Sequence, residues 1–542
     1  MSLLIPLIRA IVSIARNKSV LRWCAFIACG YLLFLLLTHI DTEDMLEKDI
    51  YYPNIPMLPP GYEPIPSTPE YWKHEDFAKY TGPDMNSIDA DATNTEKIIQ
   101  LLPSLPMDYW ERHEYYLDEM YYDNSSCAAF PDMFRLKFNN IYWQTFKRSN
   151  YTFQLYKAFY DTRRINNRRH SVHILAMINA VELSFETYCQ FWFESTNEPL
   201  IIKTKRYRYI WYREWGDSEP GVYVPFMITC ELPETHQEEI PSCVSLVEKP
   251  CDSASNLLSV IYEIPQEKGE FAVCVKGLDY LTSDVSSRLV EWLEILNLMG
   301  ASKVFFYQLQ VHPNIAKVLD YYKSLGRIDV THFTLCGEQP NLPLLQHAYL
   351  VNNNEQQCFS EIIPYNDCFY RNIYSHKYVV LLDTDEIILP VRDSNWTTLL
   401  DRINRKIGED QYASFNARNV YFLEELNPVN LYSAIPPYMH FLKQTYRSKL
   451  FTPPLNYVKS FFDTESVLTV HNHLPVHFSR NLSKTYSMSK QDVQLSHYRK
   501  GCAEELDCGL YRTNKTEDMK LWKHKDVLIS RVSGVLKSLN LI

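Results

Sequence analysis

Glycine is scarce in this chain. Among 542 residues there are only 14, against about 7% in an average protein. No two are separated by a single residue, so no G-x-G exists and the dinucleotide-binding fingerprint is excluded. Gly216 and Gly221 have P-loop spacing, but Val222 stands where lysine is required. No two glycines lie four apart, which removes the G-x-S-x-G nucleophile elbow. There is no H-E-x-x-H, and no two cysteines are three positions apart, so common zinc signatures are missing too. A basic surplus is also lacking. The net charge is −11, which argues against a nucleic-acid partner, because phosphate binding needs a basic face.

What is present has the balance of a globular protein, 46% apolar and 22% charged. The length allows roughly two to four folded units. Aromatics reach 14%, with 39 Tyr, 26 Phe and 10 Trp. Such rings fill large cores and also suit surfaces that stack on sugars or bases.

One apolar run breaks the average. Residues 23–40 read WCAFIACGYLLFLLLTHI, near the lower limit of length for a membrane-spanning helix. Arg9, Arg16, Lys18 and Arg22 precede it, and Asp41, Glu43, Asp44, Glu47 and Asp49 follow it. The positive-inside rule then leaves residues 1–22 in the cytosol. The run is long for the core of a cleaved signal peptide and no A-x-A-like site follows it. The expectation is a single-pass type II signal anchor in the Golgi membrane, with the rest of the chain lumenal. Five N-x-[ST] sequons, at Asn124, Asn150, Asn395, Asn481 and Asn514, agree with that address. Eleven cysteines lie between Cys127 and Cys508. An oxidising compartment would pair most of them, and an odd count leaves at least one over.

Residues 51–70 hold seven prolines in twenty positions, a composition that makes a stiff spacer. Residues 41–126 are read as a Pro-rich stem. From 127 to 265 short β-rich runs such as YTFQLYKAF, VHILAMINA and GVYVPFMITCEL predict an antiparallel sandwich or similar accessory domain. From 266 to 542 strands and helices alternate. FAVCVKG, KVFFYQL, IDVTHF and KYVVLL read as strands. Helices are expected between them, one with Leu289, Trp292, Leu293 and Leu296 stopping at Gly300, another opening at Pro313 and stopping at Gly326. This is an α/β pattern with a parallel sheet, and such sheets bind ligands at the carboxyl ends of their strands.

At the carboxyl end of KYVVLL stands Asp383-Thr384-Asp385-Glu386. A D-x-D on a turn brings two carboxylates together, as a hard divalent cation carrying a diphosphate requires. The tripeptide alone is weak evidence, since Asp89-Ala90-Asp91 repeats it within the stem. Position after an apolar strand separates the two copies.

The pieces FAVCVKG, RLVEWLEILNLMGASKVFFY, YNDCFYRN, YVVLLDTDEIILP, RNVYF, LSHYR and LWKHKDVLISRV, taken together and in this order, resemble glycosyltransferase family 92. They span about half the chain. The resemblance implies a GT-A, Rossmann-like fold and an inverting transfer with Mn²⁺ or another divalent cation. It also implies UDP-galactose as donor and a glycan or glycoprotein acceptor. Asp383 and Asp385 become metal ligands, with His471 or His497 as a further one. Lys276, Arg371, Arg447 and Lys449 are cations for the diphosphate, and Asn366 and Asp367 resemble the family's donor-side helix. An inverting transfer needs a general base after the D-x-D; Glu424 and Glu425 are preferred, with Asp463 and Glu465 as alternatives. Two other readings stay open, a non-catalytic lumenal glycan-binding protein with a degenerate transferase domain and an anchored sulfotransferase. The sulfotransferase would need a phosphate-binding loop that is not found.

Overall fold

The computed structural model describes residues 92–542 apart from 108, 111–126, 132, 166–168, 197, 216–220, 428–431 and 503–507. The signal anchor, most of the stem and Asn124 lie outside the described residues. Among the described residues no helix is long and apolar enough to cross a membrane.

The part read as stem ends in folded chain. Helix α1 (Asn94–Leu101) opens with a capping box in which Thr93 and Glu96 exchange bonds. Beyond it Leu105, Tyr109 and Trp110 are buried against Leu136, Trp192, Cys243 and Leu257. Packing therefore begins ahead of Cys127, because the Tyr109 and Trp110 rings find an apolar seat on the β-rich region.

That region holds β1 (Phe138–Asn140), β2 (Trp143–Arg148), β3 (Tyr151–Asp161), β4 (Ser171–Ile178), β5 (Tyr188–Trp192), β6 (Leu200–Lys203), β7 (Arg206–Tyr209), β8 (Val224–Glu231), β9 (Cys243–Val247) and β10 (Leu258–Ile261). They form one ten-stranded sheet, ordered β6-β5-β9-β10-β3-β4-β8-β7, with β1 and β2 added at β3. Every pairing is antiparallel except β10 with β3.

The second region follows as β11 (Gly269–Tyr280), α2 (Ser286–Met299), β12 (Lys303–Val311), α3 (Pro313–Ser324), β13 (Ile328–His332), α4 (Leu345–Asn352), α5 (Asn354–Asn372) and β14 (His376–Leu381). Gly300 ends α2 at φ 98°, a left-handed position that costs glycine nothing, and Pro313 opens α3 as expected. After β14 come β15 (Glu386–Pro390), α6 (Trp396–Ile407), β16 (Ser414–Ala417), β17 (Asn419–Leu423), β18 (Tyr446–Ser448), β19 (Lys459–Asp463), β20 (Val467–Val470), β21 (Pro475–Phe478), β22 (Tyr486–Ser487), β23 (Val493–Arg499), α7 (Cys508–Thr513), β24 (Lys515–Glu517) and α8 (Lys525–Ser538).

The main sheet runs β13-β12-β11-β14-β19-β16-β22. Strands β13, β12, β11 and β14 are mutually parallel, while β19 opposes β14. The chain moves outward from β11 to β12 and β13, then returns through α4 and α5 to the other side of β11. The order thus reverses between β11 and β14, and the crevice beyond their carboxyl ends is the ligand position of an open α/β sheet. Beside it lies a three-stranded sheet, β15-β23-β17.

The change of pattern near residue 265 is not a change of core. One apolar cluster contains Phe153, Ile174 and Phe226 from the first sheet together with Phe333, Phe369 and Val470 from the second region. Helix α5 is the shared element, packing on β11 and β14 and on β3, β4 and β8. The described residues all fall in one compact unit. Four disulfides, Cys127–Cys251, Cys189–Cys230, Cys274–Cys368 and Cys502–Cys508, use eight of the eleven cysteines.

Candidate active site

The turn Asp383–Glu386 leaves β14 at the reversal point. It is closed on itself. The Asp383 N–H donates to Glu386 Oε2 (3.1 Å), and the Glu386 N–H donates to the Asp383 carbonyl (3.0 Å). Asp385 is fixed through its carbonyl, which accepts from the Tyr498 N–H on β23.

Around the turn the acids meet bases from distant elements. Lys459, on β19, lies level with the end of β14 because the two strands pair antiparallel. Its Nζ is 3.1 Å from both Asp383 Oδ2 and Glu386 Oε2, and it also donates to Asn472 Oδ1. Lys276, on β11, reaches Asp383 Oδ1 (3.5 Å) and Glu361 of α5 (3.0 Å). His497, on β23, faces Glu386 across the β15–β23 pairing. Its Nδ1 is 3.5 Å from Glu386 Oε1 and its Nε2 3.6 Å from Asp385 Oδ2. The Asp385 side chain is 31% exposed and Asp383 21%, whereas Glu386 is 4% and Lys459 1%. The outer face of the cluster is thus Asp385, and its inner face is an ion pair closed to water.

Within ion-pair distance, the four carboxylates of Glu361, Asp383, Asp385 and Glu386 share two lysines and one histidine. Burial disfavours charge on Asp383, but Lys276 and Lys459 outweigh it and hold its carboxyl well below the usual range. Glu386 and Glu361 go the other way, since burial dominates and Asp383 adds repulsion. On His497 burial opposes the proton, yet Asp385, Glu386 and Asp383 together raise its pKa above the ordinary value. The cluster carries more acid than base, which is the electrostatic condition for accepting a further cation.

The other residues singled out from the sequence are dispersed. His471 is buried against the Trp211 and Tyr212 rings (4.7 and 5.5 Å between centroids). Burial, then His473, Lys459 and Lys484, holds its pKa well below the ordinary value, so the charges acting on it are basic and not those of the acid turn. Asn366 is buried and spends its amide on the Ile362 and Val470 carbonyls and the Val470 N–H. Asp367 bonds Lys157 of β3 and the Tyr307 hydroxyl. Arg371 bonds Thr331 and Asp329 on β13. All three serve the join between α5 and its neighbours, not the turn. Arg447 is bound to Asp518 (2.6 Å), and Lys449 is exposed in the loop after β18. Glu424 and Glu425 are exposed just past the end of β17, whose Tyr421 lies beside His497, and Glu425 pairs with Arg512 (2.7 Å). Asp463 pairs with Tyr378 near the amino end of β14, so Asp463 and Glu465 stand at the far end of the sheet from Asp383.

Sequence reasoning missed Lys459, Glu361, Asn472 and Arg288. Arg288, on α2, is close enough to Asp385 and His440 to stabilise the Asp385 carboxylate and to oppose a proton on His440, whose pKa burial drives down to about 4. An early signal existed for Lys459 alone, a lysine opening the apolar run KSFF. Among the described residues no group of three or more His, Cys, Asp or Glu forms a ready-made metal cage.

Residues 269–531, just under half of the chain, match the family model of glycosyltransferase family 92. A beta-1,4-galactosyltransferase, galt-1 of Caenorhabditis elegans, is 23% identical over 201 residues, 35% of this chain and 43% of that protein. The chain therefore spans under half the length of this relative. Solved structures of S. aureus TarS 1-349, one of them in complex with UDP-GlcNAc, align over 42% and 43% of this chain and 60% of theirs. Their identities are 13% and 12% and their TM-scores 0.22 and 0.23.

Proposed function

We propose that the chain is a metal-dependent inverting glycosyltransferase of the secretory pathway, with a GT-A type catalytic region, moving galactose from UDP-galactose to a glycan acceptor. The observation that carries this reading is the acid surplus at Asp383–Glu386, set at the reversal point of a parallel sheet. The family-model match over residues 269–531 supports the transferase class, and the galactosyl donor rests on the resemblance to galt-1.

The donor atoms suit Mn²⁺ or a similar ion, a carboxylate and an imidazole at one edge of the turn. Asp385 and His497 would hold it. Such an ion supplies charge neutralisation for the departing nucleotide. Asp383 is held by Lys459 and Lys276, so its role is to fix the turn. Lys276 and Arg288 are the cations beside a diphosphate at this place. Glu424 or Glu425 would take the acceptor proton.

The deciding test is a hydrolysis and transfer panel of nucleotide sugars, with and without Mn²⁺. Turnover of UDP-galactose that disappears on chelation is expected. Sugar binding with no turnover of any donor would instead favour the non-catalytic glycan-binding reading. Calorimetry of UDP across a Mn²⁺ series separates the histidines: His497→Ala is expected to weaken Mn²⁺-dependent UDP binding, and His471→Ala to leave it near wild type.

A further inference from the structure

Two adjoining concavities lie where the first sheet meets the second region. One, about 630 Å³, is lined by Arg206, Arg208, His477, Phe478 and Arg480 among others. The other, about 620 Å³, shares Arg206, Tyr207, Arg208 and His477 and adds Trp211 and Tyr212. Each has the size of a small-molecule site. One wall is β7, the last strand of the ten-stranded sheet, and the other is β21 of the β20–β21 hairpin.

Three features bear on what fits there. Among the described residues lining the first concavity there are three arginines, one histidine and no carboxylate, although the chain's net charge is −11. The second concavity does carry two acids, Glu182 and Glu214, of which Glu182 pairs with Arg213. Guanidinium groups match carboxylate and sulfate oxygens with paired N–H donors. Phe478 lines the first concavity and Trp211 and Tyr212 the second, and flat amphipathic rings suit the apolar face of a sugar. The cleft also abuts the candidate active site. Trp211 and Tyr212 pack on His471, the Tyr212 hydroxyl donates to the Pro475 carbonyl (2.9 Å), and Asn472, next to His471, accepts from Lys459.

We infer that this cleft binds an oligosaccharide bearing a carboxylate or sulfate, as the distal part of the acceptor glycan. Its role as acceptor subsite rests on the transferase reading; its capacity to bind does not.

The test uses the full-length chain without donor, titrated calorimetrically with 3′-sialyllactose, a sulfated lactose and plain lactose. Binding of at least one charged sugar, about tenfold or more tighter than lactose, is expected, and the better of the two identifies the anion. Arg206→Ala with Arg480→Ala should weaken that binding by about tenfold or more, while Arg206→Lys with Arg480→Lys recovers part of it. UDP titration and near-ultraviolet circular dichroism on the same samples report the fold. If the alanine variant misfolds, salt decides on the wild type, because a charge-selected site must weaken between about 50 and about 300 mM NaCl. Equal binding of lactose, no binding of either charged sugar, indifference to salt or an unaffected folded alanine variant each overturns the proposal. Charged-sugar binding in a chain that turns over no nucleotide sugar leaves the cleft standing and removes the transferase reading.

Discussion

Two buried clusters of charge join distant parts of this molecule, and they are built differently. At the seam between the sheets, Lys157 of β3 meets Asp367 of α5 at 3.1 Å, with the Tyr307 hydroxyl donating to the same carboxylate. Side-chain exposures there are 9% and 0%. Acid and base are matched one to one, and water is shut out. At the Asp383–Glu386 turn the acids outnumber the bases in ionic contact with them, and one of them, Asp385, remains 31% exposed. A balanced closed pair fixes structure. An open one leaves a carboxylate within reach of a ligand, and that difference is the reason the second cluster is proposed as the place for chemistry.

Substitutions can break this contrast. The largest effect is expected at the seam. Asp367→Asn strands the Lys157 ammonium in the core and should cost about 3–5 kcal/mol, read as a lower unfolding midpoint, with turnover per folded molecule near wild type. At the turn the pattern should invert. Asp385→Asn is expected to reduce transfer by about 10²-fold or more, the scale of one preorganised electrostatic contact, with little change in the unfolding midpoint. A seam variant that lost turnover at unchanged stability would erase the distinction. Glu424→Gln and Glu425→Gln sharpen it further. The one that carries the base should lose about 10²-fold in turnover while binding UDP normally, and if neither does, the base lies elsewhere.

The smallest effect concerns acid. Asp161 bonds Arg163 (2.7 Å) and faces His173 (3.3 Å), all three buried. Burial opposes its charge, but Arg163 and His173 outweigh it and hold the carboxyl well below the usual range. A depressed carboxyl stabilises the fold fully above the unfolded value of about 3.9 and loses that contribution as pH falls further toward the folded value. About 2 kcal/mol should be lost below about pH 4, and Asp161→Asn should flatten this acid limb in unfolding curves recorded against pH.

The strand–helix rhythm from β11 to β14 was legible because apolar runs, Gly300 and Pro313 act locally. The acid turn was legible because it follows a strand buried on both faces. Lys459 and Glu361 were not, since they arrive from elements 76 and 22 residues away from Asp383 through sheet order, which no local pattern encodes. Asn366 and Asp367 resemble a donor-side motif in sequence, yet they face the seam. Along α5, Glu361 and Asp367 are six residues apart, which at about 3.6 residues per turn places them on different faces. One face meets Lys276 and the other meets Lys157.

The shared core also sets a timetable. Lys157 and Asp367 are 210 residues apart, and ribosomes add about 5–20 residues per second. Strand β3 therefore leaves the ribosome roughly 10–40 s before its partner helix exists. During that interval the faces of β3, β4 and β8 that α5 covers lack their cover. Biogenesis of this chain should accordingly depend on holding factors that shield a half-made sheet, and a nascent chain halted before residue 354 should be captured by them far more than one released after residue 372.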